Sequence, residues 1–256
     1  MASVVAITNQ KGGVGKTTTA VNLAASLAVA EQRVLLIDID PQGNATSGVG
    51  LSPRAIQPGT YDVLVGRNTV QEAARPTDLP FLTILPSSAD LAAVEIEFVD
   101  LEDRATRLKA AIESVRGDYD FILIDCPPSL GLLTLNALAA SHSVLVPMQC
   151  EYYALEGISH LMNTIERVRN GLNPSLYVHG VLLTMYDPRS NLANQVASEL
   201  REHFHVYETV IPRNIRLAEA PSHGKPVILY DAGSKGSQGY LSLAREILDR
   251  LPEAAA

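Results

Sequence analysis

Cysteine is scarce in this chain of 256 residues: Cys126 and Cys150 are the only two, and no C-x-x-C spacing occurs. A metal or cluster site built on thiolates is therefore not expected, and both cysteines sit in strand-like runs where they read as small buried residues. Long apolar runs are missing as well. None reaches the roughly 18 residues that a membrane span needs. No basic n-region precedes Val4-Val5-Ala6-Ile7, so a secretory signal is not expected and a cytoplasmic location follows. Positive charge is also in deficit. The net charge of −8 argues against binding nucleic acid, but its distribution is uneven. Residues 1–179 hold 12 basic and 19 acidic side chains, whereas residues 180–245 hold 7 and 6. Any surface for phosphate groups must then be a local patch in the last third of the chain.

What is present is a compact-globule composition, 46% apolar and 19% charged. Apolar runs of strand length alternate with helix-length periodic segments. Val4–Thr8, Arg33–Ile37, Phe81–Leu85, Asp120–Ile124, Ser143–Pro147 and Val178–Thr184 read as strands. Several are near-continuous Val/Ile/Leu runs, as expected where helices cover both faces of a parallel strand. Thr17–Ala30, Leu101–Val115, Leu132–Ala140, Leu155–Asn170, Leu192–His203 and about Gly239–Leu251 carry helical spacing. Residues 48–80, rich in Gly and Pro, read as a surface excursion with short helices. The alternation predicts an α/β fold, a doubly wound, mostly parallel sheet flanked by helices. No internal repeat or linker divides it, so residues 1–256 are expected to form a single domain.

The first strand runs into Asn9-Gln10-Lys11-Gly12-Gly13-Val14-Gly15-Lys16-Thr17-Thr18, which opens a helix. Glycines at such a junction let backbone N–H groups turn inward onto phosphate oxygens, and the helix N-terminus adds partial positive charge. Lys16 is expected at the β- and γ-phosphates and the Thr17 hydroxyl on Mg²⁺. The strict G-x-x-x-x-G-K-[ST] pattern fails by one residue, since Gln10 stands at the first glycine, and a second lysine, Lys11, precedes the glycines. The second and fourth predicted strands end in Asp38-Ile39-Asp40-Pro41-Gln42-Gly43-Asn44 and Asp125-Cys126-Pro127-Pro128-Ser129, so each delivers a carboxylate to the strand C-termini, where ligands of open α/β sheets sit.

Lys-Gly-Gly-x-Gly-Lys-Thr resembles the deviant Walker A motif of the ParA/MinD class of P-loop ATPases. Asp38–Ser47, Glu151–Gly157 and Ile211–Ser222 resemble the chromosomal ParA/Soj members, so the likeness spreads over most of the chain. It implies ATP and Mg²⁺ as cofactors and slow hydrolysis. Lys11, Gly12, Gly13, Val14, Gly15, Lys16, Thr17 and Thr18 would hold the nucleotide, with Pro212 and Asn214 at the adenine. Thr17, Asp40 and Asp125 would serve the metal, and Lys11, Lys16 and Asp40 the chemistry. Asp40 would orient the attacking water, with Asp38 supporting Mg²⁺ or the loop. Two protomers would close face to face on ATP as a homodimer, each passing Lys11 to its partner's nucleotide. Arg189 and Arg216, with Arg213 as a weaker candidate, would bind nucleoid DNA without regard to sequence. A ParB-type centromere-binding protein would stimulate hydrolysis.

The absence of a preceding DNA-binding domain points to the short, chromosome type. A MinD-like membrane-cycling ATPase is the alternative reading; it calls for a basic amphipathic C-terminal helix, whereas this sequence ends Leu248-Asp249-Arg250-Leu251-Pro252-Glu253 and three alanines. A cluster-carrying relative of the nitrogenase iron protein would need differently placed cysteines.

Overall fold

The computed structural model describes residues 2–152 and 154–250. Tyr153, the predicted end of the last helix at Leu251 and the tail after it lie outside the described residues. Eight strands among the described residues form one sheet: β1 (Ser3–Ile7), β2 (Val34–Asp38), β3 (Arg75–Pro76), β4 (Leu82–Leu85), β5 (Phe121–Asp125), β6 (Ser143–Met148), β7 (Tyr177–Tyr186) and β8 (Ile211–Pro212). Their order is β3-β4-β2-β5-β1-β6-β7-β8, and every pair is parallel except β3 with β4. The expected mostly parallel α/β sheet is what the chain forms.

Helix α1 (Lys16–Val29) follows β1. The excursion after β2 contains α2 (Asn44–Gly48), α3 (Thr60–Leu64) and α4 (Val70–Ala73), and α5 (Val94–Glu97) and α6 (Arg107–Glu113) precede β5. Helices α7 (Leu132–Ala140), α8 (Ala154–Gly171) and α9 (Asn191–His203) alternate with the last strands; α10 (Ile215–Glu219), α11 (Val227–Tyr230) and α12 (Lys235–Asp249) close the described chain.

Alternate residues of the longer strands enter two separate cores. Val4 and Ala6, Leu35 and Ile37, Ile122 and Ile124 face one side with Leu108, Leu133, Ile158 and Leu161. Val5 and Ile7, Val34 and Leu36, Phe121 and Leu123 face the other with Leu23, Leu27, Leu243 and Ile247. Both faces being covered explains why these strands lack polar alternation. Burial of each Leu or Ile side chain contributes about 1.5–3 kcal/mol.

Several elements depart from the sequence reading, some for local reasons and one through a distant contact. Strand β4 begins at Leu82 rather than Phe81, because Phe81 has φ 67° and cannot sit in the pleat. Strands β3 and β8 are two residues each, too short for any periodicity to show. The helix expected from Leu101 starts only at Arg107. Asn136, fully buried on α7, donates Nδ2 to the Arg104 carbonyl (2.7 Å) and accepts the Leu108 N–H on Oδ1 (3.2 Å), so a neighbouring helix sets the start of α6.

Asn136→Ala strands that carbonyl and that N–H in the interior, which should lower the unfolding free energy by about 1–3 kcal/mol in urea denaturation. Nucleotide affinity, read in parallel, should not change.

Candidate functional site

The phosphate-loop geometry follows from two left-handed glycines, Gly13 (φ 76°) and Gly15 (φ 88°), which turn the chain from β1 into α1. Asn9, 3% exposed, staples the entry: Nδ2 donates to the Pro147 carbonyl at the end of β6 (2.8 Å), and Oδ1 accepts the Lys11 N–H (3.1 Å). Lys16 folds back across the loop, with Nζ donating to the Lys11 carbonyl at 3.0 Å. Its ammonium is buried, and burial draws its pKa below the usual lysine value, against the opposing pull of Asp125, Cys126 and Asp40.

Strand register supplies the carboxylates. Ile7 is level with Asp125, and Asp125 with Asp38, so β1, β5 and β2 end side by side beneath the loop. Asp125 is fully buried, and neither carboxylate oxygen has a hydrogen-bond partner among the described residues. Burial pushes its pKa well up, and Asp38 adds to the push. A divalent cation answers that arrangement, because it restores the ionised form and occupies the orphaned oxygens. No group of three or more His, Cys, Asp or Glu fit to hold a metal occurs among the described residues. Asp125, Asp40 and the Thr17 hydroxyl, with phosphate oxygens, are the groups that could hold such an ion.

Asp38 takes the loop-supporting alternative. Its Oδ2 accepts the Thr46 N–H (2.8 Å) and hydroxyl (2.7 Å), and its Oδ1 accepts the Asp40 N–H (3.2 Å). Burial nonetheless raises its pKa to about 6. Asp40 is thereby aimed. Its Oδ1 accepts the Gln42 N–H (3.0 Å), and its carbonyl accepts the buried Ser87 hydroxyl (2.6 Å).

A cavity of about 580 Å³ opens over these groups. Gly12, Gly13, Gly15, Lys16, Thr17, Thr18 and Asp40 form its floor, and Pro212, Arg213 and Asn214 form a wall. Its size falls in the range for small-molecule sites. Asn214 caps α10, with Oδ1 accepting the Arg216 N–H at 2.9 Å, which leaves its Nδ2 as a free-standing donor type for a ligand acceptor. Pro128 of the loop after β5 also lines the cavity. Thr184 and Met185 at the end of β7, together with Leu217 and Tyr240, line it too. No motif marks Thr184, Met185 or Tyr240, since their place depends on tertiary contacts and, for Met185, on a left-handed φ of 49°, whereas Leu217 lies in the Ile211–Ser222 block.

Lys11, Val14 and Asp125 are not among the lining side chains. Val14 is buried in the loop's underside. Lys11 turns outward, half exposed, and pairs with Glu151 on the loop after β6. Arg189 and Arg216 stand away from the cavity in exposed ion pairs. Arg189 lies 2.9 Å from Asp187, whose carboxyl it holds down at about 2, and Arg216 lies between Glu219 (2.8 Å) and Asp231 (3.2 Å). Arg213, expected at DNA, lines the cavity wall and is exposed.

A family model described as an AAA domain matches residues 2–178. The chain is 56% identical over 249 residues to the sporulation initiation inhibitor protein Soj of Bacillus subtilis (strain 168), covering 96% of this chain and 98% of that one. It is 55% identical over 249 residues to the chromosome partitioning protein ParA of Myxococcus xanthus (strain DK1622), covering 96% and 88%. Among solved structures it is similar to a cobyrinic acid a,c-diamide synthase from Mycobacterium smegmatis with bound ADP and magnesium. The TM-score is 0.85 at 37% identity, covering 97% of this chain and 94% of that one.

Asp125→Asn keeps the side-chain shape but removes the carboxylate that a bound cation would ionise. Titration with nucleotide should show that added magnesium no longer tightens binding, a loss of about tenfold or 1.4 kcal/mol. Affinity measured in chelator should stay near that of the unaltered chain.

Proposed function

The chain belongs to the ParA/Soj family of chromosome-partitioning ATPases, and on that premise we propose that it is a nucleotide-driven dimerisation switch that moves DNA cargo. ATP enters the cavity with its phosphates on the Gly12–Thr18 loop and its base between Pro212 and Asn214. The observation that carries the reading is the position of Lys11. It belongs to the phosphate loop in sequence, yet its side chain does not line its own cavity and turns, half exposed, to Glu151. A cation so placed is positioned to serve a second copy.

Lys16, held low over the loop, neutralises charge on the bound phosphates. Asp40, 7% exposed and aimed by Asp38 and Gln42, orients the attacking water. Magnesium, when bound by Thr17, Asp40 and Asp125, supplies further neutralisation of the phosphate oxygens. Closure of the dimer exchanges the Lys11–Glu151 pair for phosphate of the partner. An exposed pair of this sort contributes only about 0–1 kcal/mol, so little opposes the exchange. Arginine fingers are worth about 10³–10⁵ in rate; a lysine lacks the bidentate fork and should give less. Slow turnover suits a timer.

DNA binding is assigned to Arg189 and Arg216, with Arg213 assisting from the cavity wall. Their carboxylate partners are solvent-exposed, so phosphate can replace them at little cost. The sequence carries no base-reading motif, and binding should ignore sequence. Two such contacts per protomer double on dimerisation, which ties DNA affinity to ATP and keeps the protein on the nucleoid. A ParB-type centromere-binding protein then triggers hydrolysis and release.

Gly12 gives a clean test of closure. A Cβ placed there meets nothing within 4 Å in the same chain, and its φ is not left-handed, so Gly12→Val should fold normally. Light scattering should find the unaltered chain dimeric with ATP and monomeric with ADP, and Gly12→Val monomeric with both. A Gly12→Val protein that dimerises like the unaltered chain would refute face-to-face closure.

For the DNA surface, the logarithm of DNA affinity against that of salt should have a slope of about −3.6 for the ATP dimer, four phosphate contacts. Arg216→Ala should bring it to about −1.8. An unchanged slope would remove Arg216 from the interface.

A further inference from the structure

Thr184 is 3% exposed near the end of β7, and its Oγ1 donates to the Val14 carbonyl at 2.8 Å. That carbonyl belongs to the phosphate loop, 170 residues away in sequence. Carbonyl and N–H of a trans peptide point in opposite directions. Holding the Val14 carbonyl toward β7 therefore turns the Gly15 N–H away from it. The peptide needs such a hold, because Gly15 has φ 88° and glycine crosses between positive and negative φ with little steric resistance. The Thr184 Cβ and methyl also back onto Gly15, 3.9 and 3.8 Å from where a Cβ would lie.

The same residue holds the other wall. Thr184 pairs in register with Ile211, the residue before Pro212. Met185, next along, lines the cavity with φ 49°, and the Gln149 Nε2 donates to its sulfur at 2.9 Å. Phosphate loop and base wall are thus tied through one residue, by its hydroxyl on one side and its strand pairing on the other.

We infer that Thr184 is a positioning residue, which fixes the Val14–Gly15 peptide so that the loop's N–H groups are aimed at the nucleotide's β-phosphate before it arrives. The inference rests on the phosphate-loop reading above. It assigns to β7 a part in phosphate affinity rather than in hydrolysis, since among the described residues the Thr184 hydroxyl bonds the Val14 carbonyl and neither Asp40 nor Lys11.

Thr184→Val keeps the shape and the methyl contact and removes the hydroxyl. With the full chain and magnesium, binding of fluorescent ATP and ADP analogues should weaken about tenfold for both nucleotides, because both carry a β-phosphate. The kcat at saturating ATP should stay within about twofold, so the effect falls on KM. Thr184→Ser should restore affinity, and Thr184→Ala should lose as much as Thr184→Val. Circular dichroism identifies the folded variants. Thr184→Val and Thr184→Ala binding both nucleotides as tightly as the unaltered chain would overturn the assignment, as would a Thr184→Ser loss equal to that of valine, which would leave only a packing role. An unaltered chain that binds neither analogue would instead sink the phosphate-loop reading.

Discussion

Ile7, Asp125 and Asp38 lie level with one another because β1, β5 and β2 are parallel neighbours with matched C-terminal ends. That register sets the loop that follows β1 directly above two buried carboxylates. Burial drives both carboxyl pKa values up; the charge of Asp38 adds to the rise at Asp125, and that of Asp40 to the rise at Asp38. The protein answers the two differently. Asp38 is satisfied by Thr46 and the Asp40 N–H, so its charge is spent on shaping the loop after β2. The Asp125 oxygens accept no hydrogen bond within normal distance among the described residues, so they are available to an ion that comes with the nucleotide. Had the strands paired one residue out of step, the carboxylates would have faced a helix layer instead of the loop.

Much of this was legible in the chain itself. The apolar runs gave the six longer strands, and the Lys11–Thr17 spacing gave the loop, because glycine patterns and strand-to-helix junctions are local features. Gly13 and Gly15 do adopt the left-handed backbone that such a turn requires. Other features depend on contacts between distant segments. Asn136 sets the start of α6 from another helix, which no reading of residues 101–107 could reveal. Strand β8 owes its existence to pairing with β7, and it is what carries Pro212 and Asn214 to the cavity. Thr184 resembled any threonine near a strand end until the fold set it under Val14.

The charged residues divide along the same line. Sequence marked Lys11, Arg189 and Arg216 as cations of interest, but it did not show that each is met by a carboxylate of its own chain. These pairs occupy the three cations while no phosphate is bound. Being exposed, they also hold weakly, so a phosphate at the right geometry can displace them. Arg213 sits where the nucleotide wall and the proposed DNA surface adjoin.

The central claim is that Lys11 acts on the nucleotide of the other copy. Hydrolysis by an equal mixture of Lys11→Ala and Asp40→Ala proteins tests it directly. Each variant alone should be inactive. In a mixed dimer the Lys11→Ala protomer retains its own Asp40 and receives Lys11 from its partner, so one site of two is complete. Random pairing should then restore roughly a quarter of the activity of the unaltered chain. A mixture as inactive as its components would show that Lys11 serves its own nucleotide, and the account of the switch would fail.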